Sequence, residues 1–481
     1  MNKEKLMVKI AVLGVISLIV VSFTLYKDAV EPIETDTLPT HFYDPGADPG
    51  WIEGHGFNSV PEGSFQWPGI ARSDNGNAHI VCQQHQHNAQ NEDAIIYTVI
   101  SSNGSVLRQD TISELSGDRD MEIFSWNPRM AIDRESFVHI IYEKEILWRR
   151  TGRSFYESGD YFIVHARFDP DGEKVWERTL LRREKELDDQ YRLDWRSPYD
   201  LKDVLIDRND RLHIFLRDGY VGPSNNICYI RVSALDGVIE VPFVKYSHGV
   251  NGTILENDLF SCPMILDDGA LGGVLKNRSS VNSTQDRISY SFLMIEMDDH
   301  GIDIFNASIT SIISFSMPND IDQPHYDLIV DGKGILHFFL YRPDDDNAYD
   351  PHGRYVVVQD GSIRKHLISF RYTNFILDGF MVPIGGHFLF VSGENPTYLT
   401  SIDHSGDDPN ISSYRTRGMK LDYTRYDWHW AHAYDPVNGL DIVTCMIGGE
   451  DSVIVHYNIP PEQIILYLGM EPDVVHGMEE I

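Results

Sequence analysis

One phrase recurs along the chain: a proline or other strand opener, alternating apolar residues, an Asp, a Gly- or Asn-containing turn, then a His at the head of a second apolar strand. It reads PRMAIDRESFVHIIYE from Pro128, VLIDRNDRLHIFLRD from Val204 and LIVDGKGILHFFLYR from Leu328, with PGIARSDNGNAHIVCQ at Pro68 as a copy whose turn reads one residue shorter. Weaker copies begin at Pro263, Val382 and Ala433. Self-similarity at a spacing of tens of residues marks a repeat architecture, in which each unit buries its faces against its neighbours.

Between copies lies a second hairpin, carried by stretches such as YTVISSNGSV, YFIVHARFDPDGEKVW and YSFLMIEMDDHGIDIF. Asn-Gly and Asp-Gly turns match the twist of antiparallel strands, so each unit holds two hairpins and hence four strands. Four-stranded units repeated around an axis make a β-propeller, which leaves only short, protected edges. The expectation is all-β, with seven four-stranded blades over residues 56–470 and a tail at 471–481. Six blades is the alternative, because the unit around Gly385 matches least well. Closure falls to a strand near Phe57 or to EQIILYLG from Glu462. The charged stretch 181–196 reads as a helical insertion or a solvated loop.

The 73 acidic residues outweigh 40 Lys and Arg, giving a formal charge of −33. Such a surface repels nucleic acid and anionic lipid and keeps a large β-rich protein soluble. Residues 1–9 are basic, and the apolar run 10–26 (Ile10 to Tyr26) that follows approaches the length of a membrane span. The positive flank places the rest of the chain outside the cytoplasm. The expectation is a single-pass cell-membrane anchor, the alternative a cleaved signal and a secreted protein. Residues 27–55, acidic and bearing Pro and Gly, read as a stalk. Cys228 with Cys262, or Cys82 with Cys445, can pair across neighbouring units, and all four equally suit a buried apolar role.

The Asp and His of the phrase read as blade fasteners: Asp74 with His79, Asp133 with His139, Asp207 with His213 and Asp331 with His337. A His at one register in separate sheets cannot converge on one metal. The phrase resembles the Asp-box and BNR-type repeats of sialidase-like propellers. SDNGNAH at Ser73 is the nearest copy, with His79 in the aromatic's place. It is also similar to propeller repeats found in polysaccharide lyases and sugar-binding proteins. The resemblance spans roughly residues 60–450 at the level of the single blade and implies fold, not activity. The Arg-Ile-Pro tripeptide that opens sialidase propellers is missing.

Function is then sought where the blades converge. Four of the eight tryptophans, Trp67, Trp126, Trp195 and Trp428, fall just before innermost strands. Arg217, Arg278 and Arg342 follow the second strands, and aromatic faces beside bidentate donors suit an acidic sugar. The expected partner is a glycan or an extracellular protein. A hydrolase or lyase in the same funnel is the alternative, with Glu143, Tyr341 and His85 as its acid–base candidates, and a structural surface protein is the third reading. No cofactor is required. Ca²⁺ is an option at Asp169 and Asp171, or at Asp344, Asp346 and Asp350, where a hairpin turn and an acidic loop are the plainer accounts.

Overall fold

The computed structural model describes the strands named below, the tight turns at 73–77, 101–105, 133–137, 169–173, 207–210 and 234–238, a few flanking residues, and one helix, Pro461–Leu468. The apolar run 10–26, most of the stalk and the tail 471–481 lie outside the described residues, as do Trp195, Trp428, Asp331, Asp344, Asp346 and Asp350. Among the described residues no helix is long and apolar enough to cross a membrane.

The strands form seven sheets. Sheet I holds Gly63–Arg72, Ala78–Gln86, Asp93–Ile100 and Val106–Thr111, and sheet II holds Met121–Ile132, Val138–Arg149, Tyr156–Phe168 and Lys174–Lys185. Sheet III holds Tyr199–Ile206, Arg211–Asp218, Ile227–Ser233 and Ile239–Tyr246. Asp258–Ile265, Leu271–Asn282, Gln285–Met297 and Ile304–Pro318 make sheet IV. Sheet V is built from His325–Val330, Leu336–Arg342, His352–Gln359 and Ser362–Arg371. Met381–Ile384, His387–Ser392, Thr397–Asp403 and Thr416–Leu421 form sheet VI, joined by the short parallel strand Trp51–Ile52. Trp430–Asp435, Gly439–Gly448 and Asp451–Ile459 form sheet VII, whose fourth strand is His55–Pro61 from the start of the chain.

First strands of sheets VII, I, II, III and IV pack one against the next, and those of V and VI meet in the same way. Sheets stacked by their faces around inner first strands are an all-β propeller. The chain closes through the strand around Phe57, as one of the two expectations had it. The segment from Glu462 is helix, not strand: Pro460 caps it through its carbonyl, and the helix lies against sheets VI and VII. The charged stretch near 181 opens as the end of the outer strand Lys174–Lys185, exposed along much of its length, and beyond Lys185 it lies outside the described residues.

The seams between sheets hold the core. Val81, Ile95, Tyr97 and Val99 of sheet I meet Val138, Ile140, Tyr142 and Phe168 of sheet II. Leu201, Leu212, Ile214 and Ile230 of sheet III meet Ile141, Tyr161 and Ile163 of sheet II. Cys82 and Cys445 share the apolar cluster between sheets I and VII. Burial of strands on both faces explains why third strands read as continuous apolar runs, whereas the outer Val106–Thr111 is largely exposed.

Within the sheets the repeated phrase builds a three-strand clasp. The turn residue caps its own turn, and the His six residues on reaches back to it. His139 Nε2 lies 3.2 Å from Asp133 Oδ2, and His213 Nε2 lies 3.2 Å from Asp207 Oδ2. The other ring nitrogen faces the third strand: His139 Nδ1 lies 3.0 Å from His165 Nε2, and Tyr229 donates to His213 Nδ1 at 2.8 Å. In sheet I the partner is Ser73, 3.0 Å from His79 Nε2, with Tyr97 at 2.6 Å from Nδ1. This corrects the alignment on Asp74. The turn is not shorter there: Ser73 fills the acidic position, and Asp74 is exposed beside it.

Turns also hook onto one another. The Asp74 N–H donates to Ser136 Oγ of sheet II at 2.9 Å, and the Arg134 N–H to Asp210 Oδ1 of sheet III at 3.4 Å. Ser136 and Asp210 hold positive φ, 62° and 55°, where sheet I has Gly76 at 84°. Side chains at those positions provide a bond that glycine cannot, which offsets the backbone strain.

Candidate functional site

At the end of the sheets away from these turns, the first strands are bulged. The pairing slips between Gln66 and Gly69 in sheet I, between Trp126 and Arg129 in sheet II, and between Leu201 and Asp203 in sheet III. A bulge re-aims side chains and interrupts a ladder, here beside the axis where first strands of neighbouring sheets meet. Trp67 and Asn127, each followed by proline, take positive φ of 53° and 52°. They are therefore equivalent positions, and Trp126 is not the counterpart of Trp67.

The two tryptophans have different fates. Trp67 is 39% exposed, and the Arg129 guanidinium lies over its ring, 5.5 Å from the centroid. Trp126 is half-buried and donates its indole N–H to Glu143 Oε2 at 3.0 Å. Glu143 is 1% exposed. It also accepts from Tyr161 O–H at 3.0 Å, Asn127 Nδ2 at 2.7 Å and the Leu201 N–H at 2.8 Å. Burial pushes its pKa up, and these donors pull it back. A carboxylate holding four donors from sheets II and III is a staple that fixes both bulges. It has little capacity left for proton transfer to a ligand.

His85, the second acid–base candidate, bonds Asp93, and that bond is the chief reason its pKa is raised. Gln83 donates to Asp93 at 3.3 Å and accepts from the Asn127 N–H at 3.2 Å. His85 and Glu143 are thus joined through Asp93, Gln83 and Asn127, across two sheets.

Arg217 reaches Asp200 at 2.6 Å, and Lys202 reaches the same carboxylate at 2.6 Å. Lys202 is the extra residue of the sheet III bulge, and its carbonyl accepts from Arg129 Nε at 3.0 Å. Next to it, Asp203 accepts the Val204 N–H at 2.8 Å, and burial raises its pKa above the ordinary carboxylate value. Sequence reasoning picked out Trp67 and Arg217 but missed Arg129, Lys202 and Asp203. The Trp-Pro and Asn-Pro pairs mark the bulges of sheets I and II, and no such pair marks that of sheet III, which places Lys202 and Asp203. Arg278 lies within the second strand of sheet IV and Tyr341 and Arg342 at the end of the second strand of sheet V, and their side chains lie outside the described residues.

The calcium reading at Asp169 and Asp171 gains no partner set among the described residues. Asp169 Oδ1 accepts the N–H groups of Asp171 and Glu173, at 3.0 and 2.8 Å, as a turn cap. Among the described residues no group of three or more His, Cys, Asp or Glu converges as a metal centre.

No protein-family description and no curated protein matches the sequence. Solved structures with a similar trace include an ulvan lyase, a polysaccharide lyase 10% identical with a TM-score of 0.41, the match covering 84% of this chain and 96% of that one. Another is the Trypanosoma rangeli sialidase, 9% identical with a TM-score of 0.41, covering 84% of this chain and 56% of that one. The β-propeller domain of the trilobed protease from Pyrococcus furiosus is 8% identical with a TM-score of 0.39, covering 82% and 94%. At these values the likeness decides nothing about ligand or activity, and the assignment as an all-β propeller rests on the chain's own sheet order.

Proposed function

We propose that the seven sheets are the blades of one closed ring, held outside the cell by an anchor at residues 10–26. In this reading the protein is a binding module that recognises a glycan or an extracellular protein partner at the bulged end of sheets I–III. The observation that supports it most is Trp67: a large aromatic exposed beside the axis, in a strained backbone conformation, under a guanidinium. Exposed aromatic faces flanked by fixed donors suit the apolar face and hydroxyls of a sugar ring. The strain at Asn127 is held by the Glu143 network rather than relaxed, as ligand-facing positions often require.

A glycan array on the intact chain, repeated with Trp67→Ala, tests the reading. The expected result is binding to a defined set of saccharides that the substitution abolishes. Unchanged binding by the variant would move the site elsewhere, and turnover of a bound glycan would replace recognition by catalysis.

A further inference from the structure

Three cations stand at the bulges of sheets II and III, and they are not equivalent. Lys202 and Arg217 share Asp200 as a counter-ion. Arg129 has none: its Nε and Nη1 are satisfied by the carbonyls of Lys202 and Pro128, both at 3.0 Å, and no described carboxylate is within ion-pair distance. Burial lowers the Arg129 pKa, and Asp203, Asp200 and Glu143 act on it only at longer range. A half-buried guanidinium that touches carbonyls and a ring face but no anion leaves part of its charge unanswered, an arrangement suited to a ligand that supplies the anion. Its planar fork is suited to two oxygens of one acidic group.

The surroundings restrict what supplies that charge. Trp67 from sheet I offers a ring face, Arg129 from sheet II a fork, and Asp203 from sheet III a carboxyl whose one strong bond is to the neighbouring N–H. We propose that Arg129 receives a carboxylate or sulfate ester carried by the saccharide that stacks on Trp67, while Asp203 bonds a hydroxyl of the same unit. This deepens, and rests on, the reading of the site as a saccharide-binding surface. It also places the anion on a residue other than Arg217, which is already occupied by Asp200. The formal charge of −33 makes such a site selective, because the remaining surface repels polyanions and leaves this spot to attract them.

The test is calorimetric titration of the intact chain with three probes: a neutral glucose hexasaccharide, a galacturonate hexasaccharide and a sulfated hexasaccharide. At least one acidic probe is expected to bind more tightly than the neutral one, with affinity that falls as salt rises. Arg129→Gln is expected to weaken that binding about tenfold or more, and Arg129→Lys by less, since a lone ammonium keeps the charge but loses the fork. Because Arg129 also bonds the Lys202 carbonyl, Asp203→Asn serves as a second variant that removes no inter-sheet bond, and it is expected to weaken both classes of probe alike. Equal binding of neutral and acidic probes, or salt-independent binding of the acidic one, would overturn the anion assignment and leave the saccharide reading standing. Failure of all three probes to bind would overturn both.

Discussion

Sheets II and VII place the same clasp in the same register and fill it with different chemistry. In sheet II the turn carries Asp133, the second strand His139 and the third strand His165. In sheet VII the turn carries Asp435, but the second-strand position is Asp441 and the third-strand position is His456, whose Nε2 lies 2.8 Å from Asp441 Oδ1. A second acid takes the histidine's place on the second strand, and with it the partner has changed: Asp441 also holds Arg72 of sheet I, with Arg72 Nε at 2.6 Å. Asp441 is fully buried, and the Arg72 side chain is 6% exposed. One clasp therefore fastens a sheet to itself, and the other fastens the last sheet to the first. Geometry is the constant, and chemistry is assigned according to which seam needs a bond.

The contrast can be broken by substitution. Asp441→Asn leaves a buried guanidinium without its counter-charge and is expected to cost about 3–5 kcal/mol. Urea midpoints should show it to be worse than Asp133→Asn, where Arg167 at 3.3 Å loses a partner but keeps its bond to the Leu235 carbonyl. A smaller loss for Asp441→Asn would mean that the seam between sheets VII and I is not specially fastened. His139→Ala removes bonds to Asp133 and His165 together in a buried site, and about 2–3 kcal/mol is expected by the same measurement.

Sheet IV supplies the apolar limit of the comparison. Gly272 pairs with Met264 as His213 pairs with Leu205, so it stands at the histidine position. The third-strand Phe292 fills the space, and a Cβ on Gly272 would stand 2.7 Å from its ring. Gly272→Ala is expected to destabilise by about 1–3 kcal/mol through overpacking. Pairing it with Phe292→Leu should recover part of that loss, and no recovery would refute the idea that the ring replaces the imidazole.

Acid separates the polar clasps from the apolar one more gently. Burial holds His79 at about 4 and His139, His165 and His213 below the ordinary histidine value. The unfolded chain takes up these protons near pH 6.5 and the folded chain does not, so stability is full above pH 6.5 and falls as pH drops towards the folded values. The slope expected is about 1 kcal/mol per pH unit for each such histidine. Glu143 and Asp203, raised by burial, work in the opposite sense and blunt the loss at its acid end. Denaturant melts at pH 7.5 and 5.0 check this, and His79→Gln should flatten the difference. An unchanged difference would mean that His79 is protonated in the fold.

Much of this scaffold is written in local sequence. Alternating apolar residues, Asn-Gly and Asp-Gly turns and the His six residues after the turn residue each act within a single sheet, so they can be read without knowing the neighbours. That is why the sheet pattern and the fastening role of His139 and His213 were legible, whereas closure, which joins distant parts of the chain, stayed open between a strand near Phe57 and the segment from Glu462. The alignment of Asp74 failed because Ser73 can do an aspartate's work in a turn, which spelling hides. The site was legible only in part, because it is made between sheets. Glu143 reads as a candidate acid in its own strand, and only the N–H of Leu201, far along the chain, makes it a staple. Arg129 became informative only beside Trp67 and the Lys202 carbonyl, which come from two other sheets.

The strand His55–Pro61 is among the first parts of the propeller to leave the ribosome, and its hydrogen-bonding partner Asp451–Ile459 is among the last. The first-made strand must therefore wait, unpaired, through synthesis of nearly the whole domain. Meanwhile sheets I to VI can assemble in order behind it. Closure is then a single late event across a very long loop, and until it happens sheet VII has a bare edge open to any passing strand.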